Sequence, residues 1–113
     1  MKIVACILEK RLQTGWPLQV DSTLQYIKGY DAKQKTWWPI PFADDKKLKS
    51  AYNTYLNVGL PPKPICNPSL AAITAVVYPE QTEFWYYISD NQGGMHYATT
   101  IQEHNANVEK YLR

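Results

Sequence analysis

The sequence predicts an α+β fold in which several short helices accompany a small antiparallel sheet, within a single domain fragment. Apolar residues recur at three- and four-residue spacing in separate segments, which is typical of amphipathic helices. One aromatic stretch is followed by a glycine-containing turn and a second short stretch, which is typical of a β-hairpin. The 113 residues are enough for one hydrophobic core.

The first helix is predicted over residues 2–14, where apolar side chains share one face. That face consists of Ile3, Val4, Ile7, Leu8 and Leu12. Polar residues such as Lys10 are expected on the opposite, outer face. Gly15 ends the helix, because glycine readily adopts the left-handed conformation that follows a last turn.

A second, brief helix is predicted to end at Gly29. Asp21 or Ser22 is the expected N-cap, because such side chains accept hydrogen bonds from the free amides of a first turn. Residues 30–49 show no sustained period and are interrupted by two prolines. We expect a long surface excursion there, with room for a hairpin.

Prolines restrict the backbone conformation in the middle of the chain. Residues 59–68 contain four of them, which excludes a helix or a central strand. Asn67 followed by Pro68 predicts the N-cap and first position of a third helix, which Pro79 stops. The apolar face of this helix consists of Leu70, Ile73, Val76 and Val77.

The last part of the chain is predicted to form a hairpin and a helix. Residues 84–88 and 95–98 are the two strands, and residues 90–94 form the turn between them. Thr100 and Glu103 match a capping box that opens the last helix. Its inward residues are expected to be Ile101, His104, Val108, Tyr111 and Leu112. The position of His104 favours a packed imidazole over a catalytic base.

Composition argues against several classes of function. A net charge of +2, with both signs mixed along the chain, does not favour a phosphate backbone or an anionic membrane. The apolar run at the N-terminus is too short for a signal or a membrane span. Two His and two Cys, without ligand spacing, predict no metal site. Cys6 and Cys66 are expected to be buried free thiols, and one disulfide between them is the alternative.

A mixture of aromatic and polar residues indicates a sugar-binding surface, because sugar rings stack on aromatic faces while their hydroxyls bind polar groups. The candidate substrate-binding residues are Gln19, Asp21, Tyr52, Asn53, Thr54 and Tyr55. They are expected to converge on one concave surface although two separate segments supply them. Asn53 lies in an irregular segment, which leaves its side chain available to a ligand. Trp37 and Trp38 are more typical of a core or a partner-facing surface than of a ligand contact.

Four segments, taken in order, resemble one known family. They are residues 17–23 (PLQVDST), 50–55 (SAYNTY), 59–68 (GLPPKPICNP) and 103–105 (EHN). The family is that of the endolytic murein transglycosylases of the YceG/MltG type, also labelled aminodeoxychorismate-lyase-like. This sequence departs from the usual family pattern at Ala51, Lys63 and Ser69, where Pro, Gly and Gly are common.

The resemblance implies that residues 1–113 are the C-terminal part of a lytic transglycosylase domain. Such lyases cleave peptidoglycan between N-acetylmuramic acid and N-acetylglucosamine and leave a 1,6-anhydromuramoyl end. They require no cofactor, and they act at the extracytoplasmic face of the bacterial cytoplasmic membrane. The implied partners are peptidoglycan glycan strands and, as a further expectation, the cell-wall synthesis machinery.

The family's general acid is a glutamate in a motif upstream of the helix that here contains Glu9. The resemblance therefore gives Glu9 no catalytic role and implies that the glutamate motif, the LysM-like segment and the membrane anchor are missing here. We expect little activity from the isolated chain. The alternative function is a non-catalytic glycan-binding or partner-binding module. A lyase of small metabolites would need a cofactor lysine, and no lysine has the local context for one.

Overall fold

A computed structural model describes residues 1–90 and 92–112 and confirms the α+β fold. The described α-helices are Lys2–Gln13 (α1), Asp21–Lys28 (α2), Leu70–Val77 (α3) and Ile101–Leu112 (α4), with a 3-10 helix at Ala43–Lys47 and strands at Tyr86–Ser89 (β1) and Met95–Ala98 (β2). The chain forms two compact units. Met1–Lys10 and the chain from Pro68 onward form the hairpin unit, and Arg11–Asn67 forms the loop unit.

The two strands of the hairpin unit pair antiparallel, as predicted. Tyr86 lies opposite Ala98 and Ser89 opposite Met95, so β1 begins two residues later than the aromatic run, whereas β2 has the predicted bounds. Helix α4 packs on this hairpin through rings: His104 stacks on Tyr86 at 5.0 Å between centroids. His104 is therefore a packed imidazole, as expected.

Helix α4 is longer than the surface on which it packs. Its 12 residues span about 18 Å, whereas strands of 4 residues span about 13 Å. His104, Val108 and Tyr111 are half-buried, but Ile101 and Leu112 are exposed. The expectation that both ends of the helix point inward is wrong, because they overhang the hairpin.

Helix α1 carries the largest buried side chain of the hairpin unit, Ile7. The other buried apolar residues of this unit are Ala5, Cys6, Ala75 and Ala98. The prediction that Lys10 lies on an outer face is wrong, because the residue is half-buried. Its Nζ donates to the carbonyls of Thr82 (2.9 Å) and Phe84. Leu12, expected inward, is exposed.

Helix α3 forms as predicted, but its cap and its apolar face differ from the prediction. Ser69, not Asn67, is the N-cap, and its hydroxyl accepts from the Ala72 amide at 3.1 Å. Of the helix only Ala75 is buried. The predicted face, Leu70, Ile73, Val76 and Val77, is exposed.

The loop unit is organised by glycine turns and irregular backbone. Gly15 (φ 76°) and Gly29 (φ 70°) follow α1 and α2 in the left-handed region, as predicted. The predicted excursion contains an antiparallel bridge between Asp31 and Thr36 and then the 3-10 helix. Within the described residues, the longest helices have 12 residues, and none is long and apolar enough to cross a membrane.

Candidate functional site

Contacts within the loop unit bring the two predicted groups of site residues together. The Tyr55 hydroxyl donates to Asp21 Oδ1 at 2.5 Å, although 34 positions separate the two residues. The Gln19 amide donates to the Thr54 carbonyl at 3.3 Å. The segments 19–21 and 52–55 are therefore neighbours, as expected. That the surface is concave stays a prediction.

A buried hydroxyl pair fixes this neighbourhood. Thr54 Oγ1 lies 3.0 Å from Thr23 Oγ1 and accepts from the Val20 amide at 2.9 Å. Thr23 Oγ1 in turn donates to the Val20 carbonyl at 2.7 Å. Thr23 and Thr54 are 3% and 2% exposed. The Thr54 side chain therefore holds the two segments together from inside the unit.

The same contacts explain why Asp21 is not a helix cap. Thr54 binds the Val20 amide, and Val20 is extended (φ −99°, ψ 118°) directly before α2. Val20 is the N-cap, and no side chain caps the helix there. The expectation that Asp21 or Ser22 caps α2 is wrong, because this tertiary contact sets the helix start one residue earlier. The Asp21 carboxylate is consequently exposed beside Tyr55.

Asn53 was expected to have an available side chain, and that expectation is wrong. It is 0% exposed. Its Nδ2 donates to the carbonyls of Lys46 (3.1 Å) and Leu48 (2.7 Å), and its Oδ1 accepts from the Tyr55 amide (2.9 Å). Because both ends of the amide bind backbone groups, Asn53 shapes the loop that presents Tyr52 and Tyr55.

Two further residues extend the aromatic surface. The Tyr26 ring lies 5.1 Å from the Tyr52 ring, tilted by 39°, and Tyr26 is exposed. Lys46 Nζ lies 5.1 Å from the centroid of the Tyr55 ring. Sequence reasoning missed both. The sequence signal available for Tyr26 was an aromatic residue in a short, largely polar amphipathic helix. No local sequence feature indicates a role for Lys46.

Gln19 has an unusual backbone at the edge of this cluster. Its φ is 53°, in the left-handed region that residues other than glycine adopt uncommonly. Backbone strain of this kind is found preferentially at functional sites. The residue is exposed, and its amide binds Thr54. The cluster at the surface thus consists of Gln19, Asp21, Tyr26, Tyr52 and Tyr55.

Two aspartates, Asp45 and Asp90, have a lowered pKa, which favours the ionised carboxylate. Hydrogen bonds from Lys28 and from the Phe42 amide lower the pKa of Asp45. A hydrogen bond from His96, with the amides of Gly94 and Gln92, lowers the pKa of Asp90. A general acid at a glycosidic oxygen needs a raised pKa. Neither aspartate therefore suits that role.

The described part of the chain was also compared with the requirements of a metal site and of a disulfide. There, no three His, Cys, Asp or Glu side chains gather where they could hold a metal ion. Cys6 and Cys66 are both free thiols. The expectation of burial is confirmed for Cys6 and wrong for Cys66, which is exposed on the proline-rich segment.

Comparison with known proteins gives a consistent result. A sequence model described as the YceG-like family matches residues 1–110. The chain is 32% identical over 109 residues to an endolytic murein transglycosylase of Bacillus subtilis, covering 96% of this chain and 29% of that protein. It is 31% identical over 112 residues to an endolytic murein transglycosylase of Streptococcus pneumoniae D39, covering 98% of this chain and 20% of that protein.

A solved structure is similar as well. A YceG-like protein from Listeria monocytogenes superposes with a TM-score of 0.80 at 32% sequence identity. The match covers 93% of this chain and 33% of the Listeria chain. The chain therefore spans a third or less of these relatives.

Proposed function

The chain belongs to the YceG-like family, and on that premise we propose that it is the C-terminal, glycan-engaging part of an endolytic murein transglycosylase. The substrate is the glycan strand of peptidoglycan, cleaved between N-acetylmuramic acid and N-acetylglucosamine. The sugar's own C6 hydroxyl attacks, so the product ends in a 1,6-anhydromuramoyl group. The activity is extracytoplasmic. Contact with the cell-wall synthesis machinery stays a prediction.

The general acid is proposed to come from outside residues 1–113. A single carboxyl must protonate the leaving oxygen and then accept the hydroxyl proton, which requires a raised pKa. Asp45 and Asp90 are shifted in the opposite direction. Glu9 lies half-buried on α1, the helix that follows the family's glutamate motif, and receives no catalytic role.

The role of this chain is to hold the sugar. Tyr52 and Tyr26 offer ring faces for the apolar side of a pyranose, and Asp21 and Gln19 offer oxygen and amide groups to its hydroxyls. Asn53 and Thr54, whose polar atoms bind within the unit, position these groups. The hydrogen bond between Tyr55 and Asp21 carries the proposal, because it joins both predicted segments at an exposed carboxylate.

The first test is retention on purified, insoluble sacculi. Tyr55→Phe removes the hydroxyl that orients Asp21, and Asp21→Asn removes the charge. Both changes weaken the proposed hydrogen bond between the Asp21 carboxylate and a sugar hydroxyl. Because a hydrogen bond to a charged group contributes about 1.5 to 3 kcal/mol, we expect retention to fall about tenfold. Tyr78→Phe is the control, since Tyr78 is exposed and lies in the hairpin unit, away from the two predicted segments in the sequence. Equal retention of all three variants would remove the cluster from the proposed site.

The same incubation tests the location of the acid. A positioned general acid contributes about 10² to 10⁴ in rate, so this chain alone should release little anhydromuropeptide by mass spectrometry. Abundant product that Glu9→Gln abolishes would show that the acid lies in this chain. Strong retention without product, also after the chain is extended upstream, would favour the alternative, a non-catalytic glycan-binding or partner-binding module.

A further inference from the structure

Residues 30–42 of the loop unit, here called the aromatic loop, expose five large apolar side chains. These are Tyr30, Trp37, Trp38, Ile40 and Phe42. Their exposed fractions range from 51% for Tyr30 to 74% for Ile40. Exposed apolar side chains are at least as dense on α3, but the aromatic loop combines them with two tryptophans and two exposed lysines. This combination indicates an interaction site.

The aromatic loop is built to keep this arrangement. Gln34 Oε1 accepts from the Ile40 amide at 2.9 Å, and Gln34 Nε2 donates to the Ile40 carbonyl at 3.4 Å. Pro39 is buried, and its carbonyl accepts from Gln25 Nε2 at 3.0 Å. The Tyr30 and Trp37 rings meet edge to face at 5.3 Å. The apolar side chains are therefore displayed from an organised backbone.

The polar side chains of the aromatic loop bind its own backbone. Asp31 Oδ1 accepts from the amides of Lys33 (2.8 Å) and Gln34 (2.9 Å), and Thr36 Oγ1 accepts from the Trp38 amide (3.0 Å). A sugar subsite needs polar groups that are directed at hydroxyls. The side chains that the aromatic loop exposes are instead aromatic rings, one isoleucine and lysines. This composition does not favour glycan binding.

Positive charge is concentrated in the stretch of sequence that contains these side chains. Residues 28–49 contain six lysines and three aspartates, a local charge of +3 in a chain whose total is +2. The exposed lysines of this stretch are Lys33, Lys35, Lys46, Lys47 and Lys49. Lys28 Nζ also lies 4.8 Å from the Phe42 ring centroid while it pairs with Asp45. The low net charge of the whole chain conceals this local excess.

We propose that the aromatic loop binds the interface of an anionic lipid membrane. Trp and Tyr rings favour the headgroup level of a bilayer, and exposed Ile and Phe side chains insert at the acyl boundary. Nearby lysines are attracted to anionic headgroups. The aromatic loop supplies both parts of this chemistry. It lies on the surface of the membrane and does not span it.

The test is flotation of the 113-residue chain with vesicles of phosphatidylcholine, with or without an equal part of phosphatidylglycerol. The first variant is Trp37→Ser with Ile40→Ser, and its matched control is Leu70→Ser with Val77→Ser, an equally exposed apolar pair on α3. The second variant is Lys33→Gln with Lys47→Gln. Quenching of tryptophan fluorescence by brominated lipid reports insertion directly.

We expect binding to the anionic vesicles, weakened by salt and lowered at least tenfold by the first variant. Each lysine removed lowers it about fivefold. The α3 control should bind as the wild type does. Absence of vesicle binding at low salt, or an equal loss in the α3 control, would overturn the proposal. Loss of retention on sacculi in the first variant, without any vesicle binding, would overturn it too and make the aromatic loop a glycan surface.

Discussion

A turn in each unit is held by the side chain of its own Asn or Asp, and the two turns use different chemistry. In the loop unit, Asn53 is 0% exposed and its neutral amide binds three backbone groups. In the hairpin unit, the Asp90 carboxylate accepts from the amides of Gln92 (2.9 Å) and Gly94 (2.8 Å) and binds His96 Nε2 at 2.8 Å. A buried amide has no titration to couple to folding, whereas a charged carboxylate does.

The difference shows why the two turns have different roles. The neutral anchor of Asn53 supports the surface cluster, since the Tyr55 amide is one of its partners. The charged anchor of Asp90 ties the hairpin to α4, since His96 also stacks on Tyr111 at 3.5 Å between centroids. We therefore expect the Asn53 turn to respond to removal of hydrogen bonds and the Asp90 turn to respond to pH as well.

Asn53→Ala should have the largest effect. It leaves the carbonyls of Lys46 and Leu48 and the Tyr55 amide without their partner. Loss of this buried amide should destabilise the chain by about 3 kcal/mol, since each unsatisfied buried group costs about 1 to 3 kcal/mol. Chemical denaturation measures it. Asn57→Ala, which loses hydrogen bonds at an exposed side chain, is the control and should cost about 1 kcal/mol or less. Similar losses for the two variants would contradict the anchoring role of Asn53.

Asp90→Asn should have a smaller effect that depends on pH. The pKa of Asp90 is lowered from its ordinary value of 3.8, so its stabilisation is present above that value and is lost as pH falls through the folded-state pKa. Thermal melting between about pH 6 and pH 2 should show a loss in the wild type that Asp90→Asn reduces. Asp45, whose pKa is also lowered, accounts for part of the remaining loss.

The control for this experiment is Asp44→Asn, which removes an exposed carboxylate of the 3-10 helix. It should leave the pH profile close to that of the wild type. An identical pH profile for the wild type and Asp90→Asn would show that the charge of the hairpin turn does not stabilise the fold.

Ser69→Ala should have the smallest effect, because a single exposed hydroxyl caps α3. Loss of an N-cap costs about 0.5 to 2 kcal/mol. Asn67→Ala is the control and should be nearly neutral, since Asn67 is exposed and precedes the cap by two residues. Thermal melting of both variants decides between them. A larger loss for Asn67→Ala would restore the cap that the sequence predicts.

The sequence predicts elements better than it predicts their ends. Periodicity located α1, α3 and α4 and the hairpin because those patterns are local. The sequence predicts the wrong caps for α2 and α3, for different reasons. For α2, the N-cap is set by a contact between Val20 and Thr54, which are 34 residues apart in sequence, so no local pattern indicates it. For α3, Asn-Pro is a typical helix start, but Ser69 follows it and offers the same chemistry.

The candidate site divides in the same way. That Asp21 and Tyr55 belong together was predicted from their chemistry, and their hydrogen bond confirms that they are neighbours. That Asn53 is buried was not predictable, because its partners Lys46 and Leu48 lie in and just after the 3-10 helix, for which the sequence shows no period. Polar residues in irregular segments can serve either a ligand or the backbone, and only the acceptors around them decide which.

The central claim is that the surface cluster of Gln19, Asp21, Tyr26, Tyr52 and Tyr55 binds a glycan strand, and residue-resolved NMR tests it most directly. Soluble, uncrosslinked glycan strands would be titrated into the isotope-labelled chain while amide shifts are followed. We predict that the largest shifts fall on residues 19–21 and 52–55 and that Tyr55→Phe weakens them. Shifts confined to the hairpin unit or to the aromatic loop, or no shifts at millimolar sugar, would contradict the claim.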